Sequence, residues 1–121
     1  MRQRPAWVRD RFNALPAGSV GVSSITSSEL YYGVSKSRNA SQNRQALVEF
    51  LAPLNVAPYD ETAASHYGEL RAALEKSGNV IGSLDMLIAA HALSLGLTLV
   101  TNNLGEFQRV AGLALENWAD S

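Results

Sequence analysis

The amino-acid sequence predicts one α/β domain over residues 1–121, with a short parallel sheet between two layers of helices. Two observations predict it: apolar segments of strand length alternate with segments of helix length, and one helix is apolar on every side. This alternation is typical of parallel βαβ units whose sheet is covered on both faces. Functional side chains are therefore expected in the crevice beyond the carboxyl ends of the strands.

Composition limits the possible functions. The chain is 46% hydrophobic and 17% charged, an ordinary globular balance, and no apolar run approaches the ~20 residues that a membrane span requires. The absence of cysteine excludes disulfides and thiolate chemistry and is compatible with a cytoplasmic setting. Because the net charge is only −1, RNA binding would need a local basic patch or metal ions.

The first elements follow from proline, glycine and apolar spacing. Residues Pro5–Leu15 are predicted to form a short helix, which Pro16–Gly18 breaks. Val20–Ser23 is predicted to be a strand. Ser24 or Thr26 is expected to cap the helix that follows, through about residue 37.

The middle of the chain predicts a helix, a strand and a second helix. The first of these opens at Ser41, Asn55–Pro58 forms the strand, and Asp60 caps a helix that runs to Lys76 and stops at Gly78. The buried stripe of the helix from residue 41 is expected to comprise Ala46, Leu47, Phe50, Leu51 and Leu54.

Residues 84–95 are predicted to form a buried helix, because apolar side chains surround its whole circumference. Ser83 is the expected N-cap and Gly96 the end. Thr98–Thr101 is then predicted to be a strand, residues 102 and 103 a turn, and Leu113–Glu116 the last strand.

Acidic side chains at the predicted sheet edge are candidates for chemistry. Asp85 lies in the first turn of the buried helix, where it either binds a cation or stabilises the free backbone N–H groups. Glu29 leans toward the apolar flank of its helix beside Gly33, although an ordinary solvated acid is the simpler interpretation. Asn103 and Glu106 follow a strand, where turn chemistry and a surface acid are the simpler interpretations.

Taken as a group, these side chains indicate more than each does alone. Glu29, Asp85 and Asn103 each follow a predicted strand or open a helix at one edge of the sheet. Oxygen ligands of this kind suit Mg²⁺ or Mn²⁺, which can activate water and neutralise charge on a phosphodiester. The sequence contains no Gly-rich phosphate loop and no nucleophile elbow. His91, alone on an apolar helix, is expected to be a hydrogen-bonded packing residue rather than a zinc ligand.

The adjacent tyrosines Tyr31 and Tyr32 allow two interpretations. Aromatic rings of this kind stack on bases in proteins that bind single-stranded nucleic acid. Core packing or a dimer surface is the simpler role for them, and the sequence alone favours it.

Four segments resemble successive motifs of the VapC family of PIN-domain ribonucleases. They read SSITSSELYYG (Ser23–Gly33), IGSLDMLIAAHA (Ile81–Ala92), LVTNNLGEF (Leu99–Phe107) and LENW (Leu115–Trp118). Their order and spacing also match, and the similarity covers the chain from about residue 2 onward. The resemblance implies a PIN-like α/β/α fold and a metal-dependent endoribonuclease that acts as the toxin of a toxin–antitoxin pair.

The resemblance also implies roles for individual residues. By motif position, Glu29 and Asp85 match two acids of the family's Mg²⁺ or Mn²⁺ pocket, Asn103 matches a third position, and Glu106 matches a nearby acid. Residues 101 and 102 would lie at the rim. The family implies an RNA substrate, a homodimer, no membrane association, and a cognate antitoxin that blocks the pocket.

The resemblance to the family is incomplete at the N-terminus. Relatives open with an apolar strand that ends in Asp-Thr-Asn, which would precede Met1, so an N-terminally incomplete domain is expected, with truncation favoured over decay. Because that strand is central in the family's sheet, its loss predicts unpaired edges on two neighbouring strands and little or no activity. The alternative functions are a non-catalytic module that binds antitoxin or RNA, and an unrelated hydrolytic or nucleotide-binding α/β domain.

Overall fold

The structure, a computed structural model, describes residues 13–17, 19–101 and 103–117. Within these residues, five strands and five helices follow one another along the chain. They are β1 (Ala14–Ala17), β2 (Ser19–Ser23), α1 (Ser24–Ser35), α2 (Ala40–Leu51), β3 (Asn55–Ala57), α3 (Glu61–Ser77), α4 (Ser83–Leu95), β4 (Leu99–Val100), α5 (Leu104–Phe107) and β5 (Leu115–Glu116).

The strands form one sheet in the order β3-β2-β1-β4-β5. Because β1 is antiparallel to both of its neighbours, the other four strands point the same way. One apolar core joins the sheet to α3 and α4, and a second joins it to α1 and α2. The predicted α/β/α architecture with a mostly parallel sheet is therefore confirmed, and the carboxyl ends of β2 and β4 lie at the same edge.

β1 corrects the sequence-based prediction at the front of the chain. Ala14 and Leu15 were expected in a helix and Pro16 in a break, but all three lie in a strand; residues 5–12 of the expected helix fall outside the described residues. Proline lacks a backbone N–H and seldom occurs inside a sheet. Within the part of the chain that the structure describes, β4 pairs with β1 only through Ala14 and Val100, so Pro16 lies beyond that pairing.

β1 also fills the central position of the sheet. Two strands were expected to have unpaired edges, and this is wrong for the described residues, because β1 lies between β2 and β4. A strand that precedes β2 with one residue between them must run antiparallel, since a parallel neighbour needs a long crossover. Successive residues of β1 then face opposite cores: Ala14 packs with α1 and α2, and Leu15 with α3 and α4.

The cap of α1 differs from the prediction. Ser23 caps the helix by accepting a hydrogen bond from the Ile25 N–H at 3.1 Å, whereas Ser24 and Thr26 were the expected caps. Ser24 Oγ instead accepts the Tyr59 N–H at 3.0 Å. The reason is that β2 continues to Ser23 in extended conformation. Ser23 is therefore the residue directly before the helix, and its side chain can accept a hydrogen bond from an N–H of the first turn.

The predicted limits of α2, β3 and α3 are largely confirmed. Leu47 and Leu51 are buried on α2, and Ala46, Phe50 and Leu54 are partly buried. Asp60 caps α3 by accepting the Ala63 N–H at 3.0 Å, and Gly78 ends it with a φ of 75°. That left-handed conformation is one that glycine adopts without steric penalty.

α4 is buried along its middle turns, as the all-apolar pattern predicts, but its ends are not. Leu84 and Leu95 are 45% and 44% exposed, and the N-cap is Gly82 rather than the expected Ser83. His91 is buried and hydrogen-bonded, which confirms the packing role predicted for it.

The C-terminal part contains a short helix that the sequence did not predict. α5 follows β4 and buries Phe107 in the core, while β4 and β5 fall inside their predicted ranges. Among the described residues, no helix combines the length and the apolar character that crossing a bilayer requires.

Candidate active site

Three helices bring the candidate residues to the carboxyl edge of the sheet. Glu29 lies on α1, which continues directly from β2, and Asp85 lies in the first turn of α4. Asn103 and Glu106 come after β4, at the start and within α5. The fold therefore brings together side chains that are more than seventy residues apart in sequence (29 to 106).

The centre of the site is a hydrogen-bonded pair of carboxyl groups, Asp85 and Glu106. Burial raises the pKa of Asp85 to about 7, and the hydrogen bond to Glu106 and the charges of Glu106 and Glu29 act in the same direction. The pKa of Glu106 is lowered, chiefly because it accepts the Asp85 hydrogen bond. Without a cation, the two groups therefore share one proton, which Asp85 keeps until the pH rises to about 7.

The backbone of Gly82 lies next to both carboxyl groups of this pair. Its N–H donates to Glu106 Oε1 at 3.2 Å and contributes to the lowered pKa of that carboxylate. A Cβ at Gly82 would lie 3.6 Å from Asp85 Oδ2 and 3.7 Å from Glu106 Oε1. The two carboxyl groups thus face the same point, next to the cap of α4.

Asn103, in the loop between β4 and α5, contacts Asp85 of this pair. Its Nδ2 donates to Asp85 Oδ2 at 3.5 Å, a long hydrogen bond, and its own N–H donates to Thr101 Oγ1 at 3.0 Å. Thr101 is buried, so its expected position at the rim is wrong: its hydroxyl fixes the turn toward Asn103. Residue 102, the other expected rim residue, lies outside the described residues.

Glu29 lies farther from the centre than the other candidates. Its charge contributes to the raised pKa of Asp85, which places the two carboxyl groups in electrostatic reach of each other. Among the described residues, no group of three or more His, Asp or Glu side chains is arranged to hold one metal ion. The structure therefore brings Asp85, Glu106 and Asn103 into contact and leaves Glu29 at longer range.

The donor set nevertheless fits a divalent cation. Two carboxyl groups that must share a proton are held together at an energetic cost, and a cation between them would remove that cost. Carboxylate and amide oxygens are the ligands that Mg²⁺ and Mn²⁺ favour, and Mg²⁺ usually binds through one or two carboxylates and retains several waters. Two adjacent carboxyls with a third acid in range match that requirement.

Sequence reasoning missed two residues of the site, Gly82 and Arg109. Arg109 Nη1 donates to the Val80 carbonyl at 3.0 Å, and its charge lowers the pKa of Glu106. The sequence carried a signal for each: a glycine directly before the helix of Asp85, and a cation three residues after Glu106, which is one helical turn.

Fold and site together define a three-layer α/β protein with an acidic, oxygen-rich site at the carboxyl edge of its sheet. The family model described as "PIN domain" matches residues 1–113, and the chain belongs to this family.

Proteins and solved structures named VapC or VapBC are similar to this chain. The tRNA(fMet)-specific endonuclease VapC of Shigella flexneri is 44% identical over 119 residues, which cover 98% of this chain and 89% of that protein. Ribonuclease VapC2 of Haemophilus influenzae is 47% identical over 118 residues, with the same coverage of each chain. The crystal structure of DNA-bound VapBC from Salmonella typhimurium matches with a TM-score of 0.82 and 41% identity, covering 94% of this chain and 86% of that one.

Proposed function

We propose that this protein is a Mg²⁺- or Mn²⁺-dependent endoribonuclease, the toxin of a toxin–antitoxin pair. The observation that carries the proposal is the pair of adjacent carboxyl groups of Asp85 and Glu106, in which burial and then the hydrogen bond to Glu106 raise the pKa of Asp85 to about 7. Its occurrence in a PIN domain whose relatives are named ribonucleases supports RNA as the substrate.

Each candidate residue has a distinct task in this proposal. Asp85 and Glu29 would hold the ion, with the amide oxygen of Asn103 completing the set, and Glu106 would act as a further ligand or orient water. When bound, the ion would supply a Lewis acid for the phosphodiester and lower the pKa of a bound water. The Gly82 N–H holds Glu106 in place by a hydrogen bond to its carboxylate. Arg109 donates to the Val80 carbonyl and thereby stabilises the loop that carries Gly82.

Tyr32 is the residue we expect to contact RNA. It is 60% exposed, and Lys36 Nζ lies 4.9 Å from its ring centroid, whereas Tyr31 is half-buried in the core beside Arg44. Tyr32 and Lys36 follow Glu29 by three and seven residues, so all three share one side of α1. An exposed ring with an adjacent cation suits a base and its phosphate.

A cognate antitoxin and a homodimer belong to the same proposal. The solved structures that resemble this chain include VapBC complexes from Salmonella typhimurium and nontypeable Haemophilus influenzae. We also propose that the chain is a single domain, which the family match over residues 1–113 and the two cores on one sheet support.

A cleavage assay with paired variants tests the proposal. The purified chain is incubated with initiator tRNA and with an unrelated RNA, with Mn²⁺, with Mg²⁺ and with chelator. We expect cleavage that requires the ion and falls by several orders of magnitude in Asp85→Asn, because transition-state charge stabilisation is lost. The exposed α3 acid offers the matched control: Glu69→Gln should cleave like the parent.

Two results would contradict the proposal in different ways. Cleavage that persists in chelator and in Asp85→Asn would show that the acidic site is not the catalyst. No cleavage at saturating Mn²⁺, together with tight binding of an antitoxin, would favour the non-catalytic binding module.

A prediction about the substrate follows from Tyr32. Tyr32→Ala should raise KM for RNA about tenfold with kcat unchanged, since stacking of one base contributes roughly 1–3 kcal/mol. Tyr32→Phe is the control that keeps the ring and should keep KM. Equal KM values for the parent and Tyr32→Ala would exclude this contact.

A further inference from the structure

A buried hydrogen bond connects the two helices that carry Glu29 and Asp85. Ser23 and His91 are 0% and 1% exposed, and Ser23 Oγ lies 2.7 Å from His91 Nδ1. Ser23 is the cap of α1 and His91 lies in the middle of α4. This hydrogen bond between side chains therefore joins the start of one helix to the body of the other.

The bond has a defined direction. Ser23 Oγ already accepts the Ile25 N–H at 3.1 Å, so its hydroxyl proton is available for His91 Nδ1. His91 also hydrogen-bonds the backbone of Pro58, whose carbonyl can only accept, and this requires a proton on Nε2. Burial lowers the pKa of His91, which keeps the imidazole neutral and both of its bonds satisfied.

A third segment packs against the Ser23–His91 contact, which we call the junction. The Tyr59 ring packs edge-on against His91, with 5.5 Å between ring centroids, and the Tyr59 N–H donates to Ser24 Oγ at 3.0 Å. The charge of Asp60 acts on the imidazole in the opposite direction to burial. The loop after β3 thus holds the start of α1 and the middle of α4 from one side.

The junction is close to the acidic site along both helices. Glu29 follows Ser23 by six residues, and Asp85 precedes His91 by six residues. Six residues correspond to ~9 Å of helical rise, so a small rotation of either helix about this junction moves its acid relative to the other. The charge of Glu29 contributes to the raised pKa of Asp85, so the two acids are within electrostatic range of each other.

We propose that Ser23 and His91 are positioning residues, whose hydrogen bond sets the separation of Glu29 and Asp85 and thereby the affinity of the site for its divalent cation. This inference rests on the proposed function of the site. It assigns a task to two buried residues that do not touch the ion or the RNA.

Variants of His91 separate its two hydrogen bonds. An asparagine oxygen is as many bonds from Cα as Nδ1, so His91→Asn keeps an acceptor for Ser23 and loses the Pro58 contact. His91→Gln reaches Pro58 and loses the Ser23 contact. Ser23→Ala removes the hydroxyl at the start of α1. Ser37→Ala is its control just past the other end of that helix, where Ser37 Oγ donates to the Val34 carbonyl and accepts from Asn43 Nδ2.

The first measurement is Mn²⁺ affinity, by calorimetric titration of the full-length parent and variants under conditions where all are folded. Ser23→Ala and His91→Gln should weaken Mn²⁺ binding about tenfold, as loss of supporting contacts around metal sites does. His91→Asn and Ser37→Ala should stay within about twofold of the parent. Equal losses in Ser23→Ala and Ser37→Ala, or in the two His91 variants, would overturn the proposal.

The second measurement needs neither metal nor activity. The chain has no cysteine, so spin labels attached through Tyr32→Cys and Leu84→Cys, both exposed positions, report the distance between α1 and α4. The distance distribution should shift or broaden in Ser23→Ala and His91→Gln, and stay as in the parent in His91→Asn and Ser37→Ala. An unchanged distribution in all variants would overturn the inference. The expected shifts, together with no RNA cleavage by the unlabelled parent chain, would overturn only the proposed function.

Discussion

Two polar clusters lie on the same helix, α4, and their chemistry differs. At its middle, Ser23, His91 and Pro58 form bonds in which each donor has an acceptor and no group is charged. At its start, Asp85 and Glu106 face each other and one must keep a proton. A complete network fixes the fold, whereas an incomplete one leaves a position for a ligand.

The two clusters also respond to pH in opposite directions. His91 has a lowered pKa in the folded chain, so its contribution to stability is present above pH 6.5 and is lost as the pH falls further. Asp85 has a raised pKa, so its contribution is present below pH 3.8 and is lost as the pH rises through about 7. Stability measured against pH therefore distinguishes them.

The largest expected effect on stability comes from breaking the complete cluster. His91→Leu should lower the free energy of unfolding by about 2–3 kcal/mol, because the buried Ser23 hydroxyl loses its acceptor and the Pro58 carbonyl loses its donor. Urea denaturation measures it. His66→Leu should change stability by less than about 0.5 kcal/mol, because among the described residues His66 hydrogen-bonds only within its own helix. Equal effects of the two substitutions would show that the junction does not stabilise the fold.

A smaller effect with the opposite sign is expected at the incomplete cluster. Asp85→Asn should stabilise the metal-free chain by about 1–2 kcal/mol at pH 8, after allowance for solvent screening, and by nothing near pH 4. The asparagine resembles the protonated acid, which the folded chain favours. Urea unfolding from pH 4 to pH 8 measures this, and parallel curves for parent and variant would contradict the raised pKa of Asp85.

The smallest effect concerns Thr26, a buried residue of α1 three positions after Ser23. Its Oγ1 has no hydrogen-bond partner among the described residues. Thr26→Val should stabilise the chain by about 0.5–1 kcal/mol, because an unpaired buried hydroxyl is unfavourable. Thermal unfolding measures it, with exposed Thr62→Val as the control. A marked loss of stability in Thr26→Val would show that the hydroxyl has a partner in solution.

Much of the fold was predictable because local signals agree with it. Asp60, Gly78 and Gly96 end or begin helices for reasons of side-chain chemistry and backbone conformation that the sequence shows directly. β1 was not predictable, since it contains a proline and its central place in the sheet depends on pairing with the distant strand β4 as well as with the adjacent β2. The cap at Ser23 depends on where β2 ends, which is a tertiary property.

The candidate site was predictable in part. Asp85 and Glu106 follow from motif position, but the sequence does not show that they share a proton, because this depends on burial and on the Gly82 N–H. The long range of Glu29 was equally hidden, since it depends on how α1 packs against α4. Such distances are set by packing and not by spacing along the chain.

The central claim is that a divalent cation replaces the proton shared by Asp85 and Glu106. Calorimetric titration of Mn²⁺ in buffers of different ionisation enthalpy counts the protons released on binding. Because the pKa of Asp85 is about 7, we expect close to one proton at pH 6, declining toward none by pH 8, and no release in Asp85→Asn. Mn²⁺ binding without proton release at pH 6, or equal release in Asp85→Asn, would contradict the account.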